Sequence, residues 1–488
     1  MIFKKYFSVI VLILSLAVGM YMRTYQFRER FQYGHDNDLA GWIVKDIVVD
    51  HHLRLIGQLT SAPGIFIGPL FYYLLIPLYS ITHMDPIGIL SYAWIISVFS
   101  IFSMYYVTAK IFGRKTGTIS ALIFASSYLI AFTEREVVPT TPVFLWSIWF
   151  LYSLYLTKLG KRGGLIIVSV LTGLIWEVNL SLVLLIPLFL ATLLINIKKF
   201  NIKDYLLSVL IIVFVSSPLL LFEIRHNFSQ TKALVTTLSP VNTGKINYSD
   251  KLNRVSHLIS KNATRTFGDF PDTNYTLYYL IPLGLLAGVF ILATSGKLSW
   301  YYPILFLSWT LLFVVFYTFH PINVSEYYLN GATIVWVITA AILLSRFPTP
   351  VILLGLVFFV GNNVKIMTNS DINRSGYLDR TAIVKYIFDD AQKHNYPCVS
   401  VSYMTDPGNN LGYRYLFWLK GMHVNLPKSL SPVYTIVFPH PRADKLDYTS
   451  GALGLVLPNY SQYTKEGVTQ TCAGENANLT DSMFGFTK

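Results

Sequence analysis

About eleven stretches of this 488-residue chain are apolar over roughly the 17 to 25 residues that a helix needs to cross a bilayer. They lie at 6–22, 87–110, 117–133, 141–157, 164–178, 179–197, 205–222, 277–294, 300–319, 328–345 and 350–367. Backbone polar groups in lipid must be satisfied within the segment that carries them, so such runs fold as helices. The stretch 164–197 is too long for one crossing and is split at Glu177-Val178-Asn179. Only 13% of the residues are charged, about half the share of an ordinary soluble domain. The predicted class is mainly α, a polytopic bundle of about eleven transmembrane helices. A net charge of +13 could suit nucleic acid. Here, however, much of the Lys and Arg sits in short loops between apolar runs, where membrane orientation explains it and no nucleic acid is needed.

The first run follows Lys4 and Lys5 and lacks a small-residue cleavage site, so it reads as an uncleaved anchor with its N-terminus in the cytoplasm. Alternate loops then hold Arg114/Lys115, Lys158/Lys161/Arg162, Lys198/Lys199/Lys203, Lys297 and Arg346, with Asp204 their one acid. That is the pattern of cytoplasmic loops. The remaining connections, 23–86, 134–140, around 178, 223–276 and 320–327, are expected outside, as is everything after 367. The expected location is the plasma membrane, multi-pass, with the C-terminus extracytoplasmic.

In the first outer loop, "DLAGWIVKDIVVDHHLRL" places Leu39, Trp42, Ile43, Ile47 and Leu53 on one helical face, opposite Lys45, Asp46 and Asp50. This suits a helix lying in the membrane interface. The segment 64–82 is apolar enough to span. Counting it would invert every later loop against the charge pattern, and Gly64, Gly68, Pro69 and Pro77 interrupt it. It reads as a juxtamembrane or re-entrant segment. Residues 368–488 change composition: "TAIVKYIFDDAQKHN" has a helical pattern, while "PCVSVSYM" and "VYTIVFPH" read as strands. The expected domains are therefore a membrane domain, 1–367, and a small extracytoplasmic α/β domain, 368–488. Cys398 and Cys472 would lie in an oxidising space and are expected to pair, with two buried free thiols as the alternative.

The predicted spans carry almost no charge, whereas Asp36, Asp38, Glu134, Glu136, Glu177, Glu223 and Glu326 fall at outer helix ends or in outer loops. A charged pathway through the bilayer does not fit this distribution. A reaction site at the outer membrane surface does, open to both a lipid-borne and an aqueous substrate.

Five segments in order, "GHDND", "GPLFYYLL", "TEREVVPTTP", "SSPLLLFEIRHNFSQTKAL" and "SEYYLNGATIVWVITAA", resemble the GT-C membrane glycosyltransferases over roughly residues 1–345. The nearest pattern is that of the bacterial family 39 enzymes, relatives of dolichyl-phosphate-mannose-protein mannosyltransferases and aminoarabinose transferases. The resemblance implies an inverting glycosyltransferase (hexosyl or pentosyl). It would move sugar from a polyprenyl-phosphate donor held in membrane lipid to a protein, lipid or glycan acceptor outside. Such chemistry needs a base for the acceptor hydroxyl and cationic or polar groups for the leaving phosphate.

Asp36 matches the leading acid of the family's first-loop motif and is assigned the base; the competing reading is a helix N-cap. Asp38 is the second catalytic candidate, open between a partner to Asp36, a cation ligand and a favourable first-turn charge. Arg225, Arg135 and His226 are candidates for the donor phosphate, and Glu136, Glu326 and Tyr327 for substrate contacts. No cofactor is required by this reading, and a divalent cation (Mg or Mn) on Asp36 and Asp38 stays open. The chain departs from the family at Leu39, often Arg, at Ile67-Gly68, a Glu-Lys pair in aminoarabinose transferases, and at Thr140, where an acid or amide is common. These departures leave room for a transporter or flippase of lipid-linked sugars, or for an inactive GT-C scaffold.

Overall fold

A computed structural model of the chain describes residues 2–60, 62–238, 247–270, 275–320 and 324–479. Two parts of the predicted 223–276 loop, 239–246 and 271–274, lie outside the described residues. Helix α1 (Ile2–Thr24) is followed by α2 (His35–Val48), α3 (Leu70–Ile81) and α4 (Leu90–Phe112). Helices α5 (Arg114–Ser126) and α6 (Tyr128–Arg135) form a bent pair ahead of α7 (Val143–Lys158). Helices α8 (Arg162–Gly173) and α9 (Ile175–Val178) stop at extended Asn179, and a 3-10 segment leads into α10 (Ile186–Ile195). A second bent pair, α11 (Ile202–Val215) and α12 (Ser217–Arg225), precedes α13 (Ser229–Leu238) and α14 (Tyr248–Arg265). Helices α15 (Tyr275–Thr294), α16 (Tyr301–Phe319), α17 (Thr333–Leu344) and α18 (Thr349–Asn369) complete the bundle.

Each predicted run coincides with a helix or a helix pair, including the split at 177–179. Among the described residues four helices are long and apolar enough to cross a bilayer alone, and six if each bent pair counts as one span. The chain is a multi-pass membrane protein.

Two expected straight spans are broken. The α5–α6 pair bends by 59° at Ser127. Neighbours take up the polar groups there: Ser127 Oγ donates to the Thr266 carbonyl at 2.8 Å, and the Tyr128 amide donates to Asn363 Oδ1 at 2.9 Å. The α11–α12 pair bends by 66°, where Pro218 in the first turn of α12 cannot supply the amide that would continue α11.

The loops sort by charge onto two ends of the bundle. At one end Lys115 Nζ reaches the Phe347 carbonyl (2.8 Å), Arg346 reaches that of Lys297 (3.0 Å), Lys199 reaches that of Lys158 (2.9 Å), and Arg162 pairs with Asp204 (2.9 Å). The basic loops therefore touch one another. At the opposite end the acid-bearing segments do the same. Asn37 bonds to the Val137 carbonyl (2.9 Å), the Gly68 amide to that of Trp176 (2.8 Å), and the Phe66 amide to Gln230.

Both ends of α3 belong to this acidic end. The Leu70 amide donates to Glu177 at 2.9 Å, and beyond the far end the Met84 carbonyl accepts from Tyr415 at 2.7 Å. The segment 64–82 therefore lies along one end of the bundle and does not cross it.

From Tyr377 the chain builds an α/β unit: α19 (Tyr377–Lys393), β1 (Val399–Met404), α20 (Arg414–Leu419), β2 (Val424–Asn425), β3 (Val433–Val437), β4 (Tyr448–Ser450), β5 (Leu453–Val456) and α21 (Lys465–Thr471). The strand order is β2-β1-β3-β5-β4, parallel among the first three strands and antiparallel on the β5 side. A disulfide joins Cys398 to Cys472, with the Cα atoms 5.5 Å apart.

This unit shares one hydrophobic core with α2 and α3. Leu39, Trp42 and Ile43, expected to rest in the membrane interface, are instead buried in that core by protein. Leu53, expected on the same helical face, lies past the end of α2 and is 79% exposed. The amphipathic pattern reports a helix between two parts of the protein, because burial against protein and burial against lipid select the same residues.

Candidate active site

Helix α2 begins at Gly34, whose amide donates to Asn37 Oδ1 at 3.2 Å. The Asn37 amide group in turn holds the Val137 carbonyl, so the start of α2 is seated on the turn after α6. Asp36 is thus a first-turn residue and not the N-cap, which removes the competing explanation for it. Its carboxylate is exposed and accepts one bond among the described residues, from Gln58 Nε2 at 3.3 Å. Gln58 is fixed by Tyr72, whose hydroxyl donates to Gln58 Oε1 and accepts from the Gln58 amide, both at 3.1 Å.

Glu136 comes next to this carboxylate. Packing around the turn, and then the charge of Asp36, hold the Glu136 carboxyl above its ordinary range. Its side-chain oxygens have no hydrogen-bond partner among the described residues. Glu177 is buried over Gly68, where any side chain would collide with its carboxyl group. The departure at Ile67-Gly68 thus has a local cause: Glu177 fills the space over Gly68.

Asp38 does not join Asp36. Two residues on along a helix the side chain points roughly 200° away, and Asp38 is buried at 4% exposure. Its Oδ1 accepts from the Tyr33 hydroxyl at 3.0 Å and from the Tyr415 amide of α20 at 3.1 Å. Burial pushes its pKa up to about 7, against the opposing pull of those two bonds and of Arg380 and Arg414. Asp38 is thus held between Tyr33 and α20, and the two acids do not converge on a common cation. Among the described residues no three His, Cys, Asp or Glu side chains are grouped to hold a metal ion.

The donor-phosphate candidates divide. Arg135 lies against the end of α1, donating to the carbonyls of Tyr25 (2.9 Å) and Met22 (3.3 Å). His226 stacks on Phe222 with centroids 4.1 Å apart and bonds through Nδ1 to the Phe222 carbonyl, which makes it a helix-end residue. Arg225 is exposed at the end of α12. Its helix packs through Phe222 on Phe66, and Gln230 binds the Phe66 amide, so Arg225 shares this end with the 55–67 hairpin that carries Gln58. Glu223 is buried, accepting from the amides of Gln230 (3.0 Å) and Thr231 (2.9 Å) at the start of α13.

Glu326 and Tyr327 lie on the 3-10 turn before α17. Glu326 is exposed and pairs with Lys261 at 3.3 Å, and Tyr327 packs on Tyr328. Gln58 carried no motif in the sequence and Tyr72 stood in "GPLFYYLL" without an assigned role; only the fold brings them to Asp36. Glu177 was visible as an outer acid, but its contact with Gly68 was not.

The family model of dolichyl-phosphate-mannose-protein mannosyltransferases matches residues 64–222. No curated protein sequence matches the chain. Among solved structures the chain is similar to ArnT from Cupriavidus metallidurans bound to undecaprenyl phosphate. The TM-score is 0.60 at 10% sequence identity, over 93% of this chain and 98% of that one. The apo form of the same protein gives a TM-score of 0.58 at 11% identity, with the same coverage. This chain therefore has the GT-C fold of membrane glycosyltransferases, with the dolichyl-phosphate-mannose-protein mannosyltransferase signature over residues 64–222.

Proposed function

We propose that this protein is an inverting glycosyltransferase that moves a sugar from a polyprenyl-phosphate donor to an acceptor hydroxyl at the acidic end of the bundle. That end faces outside, because the basic loops gather at the other and are retained in the cytoplasm. The N-terminus is then cytoplasmic and the α/β unit extracytoplasmic. The observation that carries the reading is Asp36: an exposed carboxylate in the first turn of a seated helix, beside Glu136, in a chain of GT-C fold. The solved ArnT holds undecaprenyl phosphate, which supports a donor of the same chemical class.

In the step itself the acceptor oxygen attacks the anomeric carbon opposite the phosphate. The new C–O bond forms as the bond to the phosphate oxygen breaks. Asp36 takes the hydroxyl proton, and polyprenyl phosphate leaves with the bonding electron pair. Gln58 and Tyr72 keep the carboxylate turned to the substrate side. Glu136 has oxygens free to bind sugar hydroxyls, and Arg225 is the cation assigned to the phosphate, which a guanidinium binds through two parallel bonds. A divalent cation, if the reaction uses one, would be held by Asp36 with Glu136, not with Asp38.

The test is release of polyprenyl phosphate from a panel of undecaprenyl-phosphate sugars by purified protein. Asp36→Asn should lower turnover by about 10²- to 10⁴-fold, the usual worth of a positioned base, while the protein stays folded. Wild-type turnover in that variant would overturn the assignment.

A further inference from the structure

Helix α2 is held from two sides. On the membrane-domain side the anchors are the Asn37 bond to Val137 and the Gln58 bond to Asp36. On the other side the C-terminal unit grips residues 31–41 at three successive places, alongside α3.

The Tyr377 amide donates to the Phe31 carbonyl at 3.1 Å, and a Cβ on Gly376 would stand 2.5 Å from that oxygen. Gly412, with φ +90°, crosses Gly34 so closely that a Cβ would lie 3.0 Å from the Gly34 carbonyl carbon. Asp38 accepts the Tyr415 amide, and the Tyr415 ring lies over Gly41, where a Cβ would meet three ring atoms at 2.8 Å. The same tyrosine ties its hydroxyl to the Met84 carbonyl at 2.7 Å, and its ring packs edge-on against Tyr79 of α3. Glycines on both sides of the joint let backbone meet backbone or ring, an approach that leaves little freedom to slide.

We propose that the C-terminal α/β unit sets the position of the catalytic carboxylate, with Asp38 as the positioning residue that links α20 to α2. Asp36 and Asp38 leave the same turn of helix in opposite directions, so a shift or rotation of α2 at Asp38 moves Asp36 by a similar amount. A misplacement of about 1 Å at a reacting group can lower a rate by 10²-fold. The inference rests on Asp36 being the base. Its structural half, that Asp38 and Tyr415 fix where residue 36 stands, can be read without turnover.

The test uses the full-length protein in two arms. In the first, Asp38→Ala removes both accepted bonds and should lower kcat by about 10- to 100-fold, with the donor KM within about twofold. Asp38→Asn keeps an oxygen acceptor for both donors and should restore most of the rate. Tyr33→Phe and Gly41→Ala disturb the same joint more mildly and carry the test if Asp38→Ala does not fold.

The second arm places Asp36→Cys in the chain. The two native cysteines are bonded to each other, so position 36 then carries the reporter thiol. Its alkylation rate should change by at least about fivefold on adding Asp38→Ala or Gly41→Ala, and stay near the parent value with Asp38→Asn; a change of that size reports a moved or newly mobile group. Unchanged kcat and unchanged alkylation in Asp38→Ala would overturn the proposal. A KM effect without a kcat effect would do so as well. If Asp36→Asn retains full turnover while the alkylation arm responds, the base assignment fails and the positioning of α2 by the C-terminal unit stands.

Discussion

Two short segments place a pair of acids two residues apart, Asp36/Asp38 in α2 and Glu134/Glu136 at the end of α6, and each splits its pair in the same way. Asp38 and Glu134 are buried and tied to distant elements; Asp36 and Glu136 are exposed, and the charge of Asp36 is felt at Glu136. In α2 such residues point roughly 200° apart, so Asp38 faces the interior while Asp36 faces solvent. At Glu136 the chain has left α6 and is extended, which turns it away from Glu134. The difference lies in what each buried acid holds. Glu134 is ion-paired through one oxygen: Arg23 Nε donates to Oε2 at 2.7 Å and Ser97 Oγ at 2.9 Å, while Arg23 also bonds the carbonyls of Gly19 and Ala125. Asp38 has only a hydroxyl and an amide, with its cations at a remove. One buried acid joins α1 to α4 and α6 as an ion pair; the other joins two structural units as a hydrogen-bond acceptor.

The largest effect should come from breaking the ion pair. Glu134→Leu leaves the Arg23 guanidinium buried with no counter-charge, which costs about 3–5 kcal/mol. Thermal unfolding in detergent should show a deep loss, with little monodisperse protein recovered. Arg23→Met combined with Glu134→Leu should regain most of it, since two apolar residues fill the same space without a charge. Near-native melting of the single variant would mean that the pair does not hold α1.

The Asp38 joint should respond to pH instead. Its carboxyl titrates at about 7 in the folded protein and near 3.9 when unfolded. Below the unfolded value both states hold the proton and the group costs nothing. As pH rises from about 4 through 7 the folded state retains a proton that the unfolded state has lost, so stability falls. Asp38→Asn has no such titration. Its stability relative to the native chain, read from melting at each pH, should rise from pH 5 to about pH 7 and level off above it, by an amount on the order of a few kcal/mol. Tyr33, Tyr79, Tyr403 and Tyr415 also face this site, but burial raises their hydroxyls above the range tested. A gap that stays constant with pH would show that Asp38 is charged throughout.

Much of the architecture was legible because lipid imposes simple demands. Length and apolarity located the helices read as spans but not α13 and α14 inside the 223–276 loop, and the distribution of Lys and Arg separated the two ends that the contacts now define. What stayed hidden depends on partners distant in sequence. The break at Ser127 is stabilised by Asn363 and Thr266, and a window around 127 contains neither. The apolar face of α2 was visible, but not whether lipid or the C-terminal unit would cover it. Asp36 could be read as the base from its motif, yet Gln58, Tyr72 and Glu136 reach it only through the turn of the first loop and the end of α6. Arg135 read as a phosphate ligand because its type fits; three-dimensional context gave its bonds to the carbonyls of α1.

The smallest effect separates the two open acids from each other. If Glu136 binds substrate hydroxyls while Asp36 takes the proton, Glu136→Gln keeps an acceptor oxygen in place and removes only the charge assistance to those bonds. The expected loss in kcat/KM is about tenfold, or roughly 1.4 kcal/mol. It should appear mainly in KM, because the bonds exist in the bound ground state as well as in the transition state. Melting should change by no more than about 0.5 kcal/mol, since the side chain is exposed and holds no other residue. A drop of about 10²-fold or more, carried by kcat, would give Glu136 a share of the base and make the open pair, not Asp36 alone, the reacting group. The buried pair would then be scaffold on both sides of it, with Glu134 fixing the end of α6 and Asp38 fixing the start of α2, so that the spacing between the two open carboxylates is set by the two closed ones.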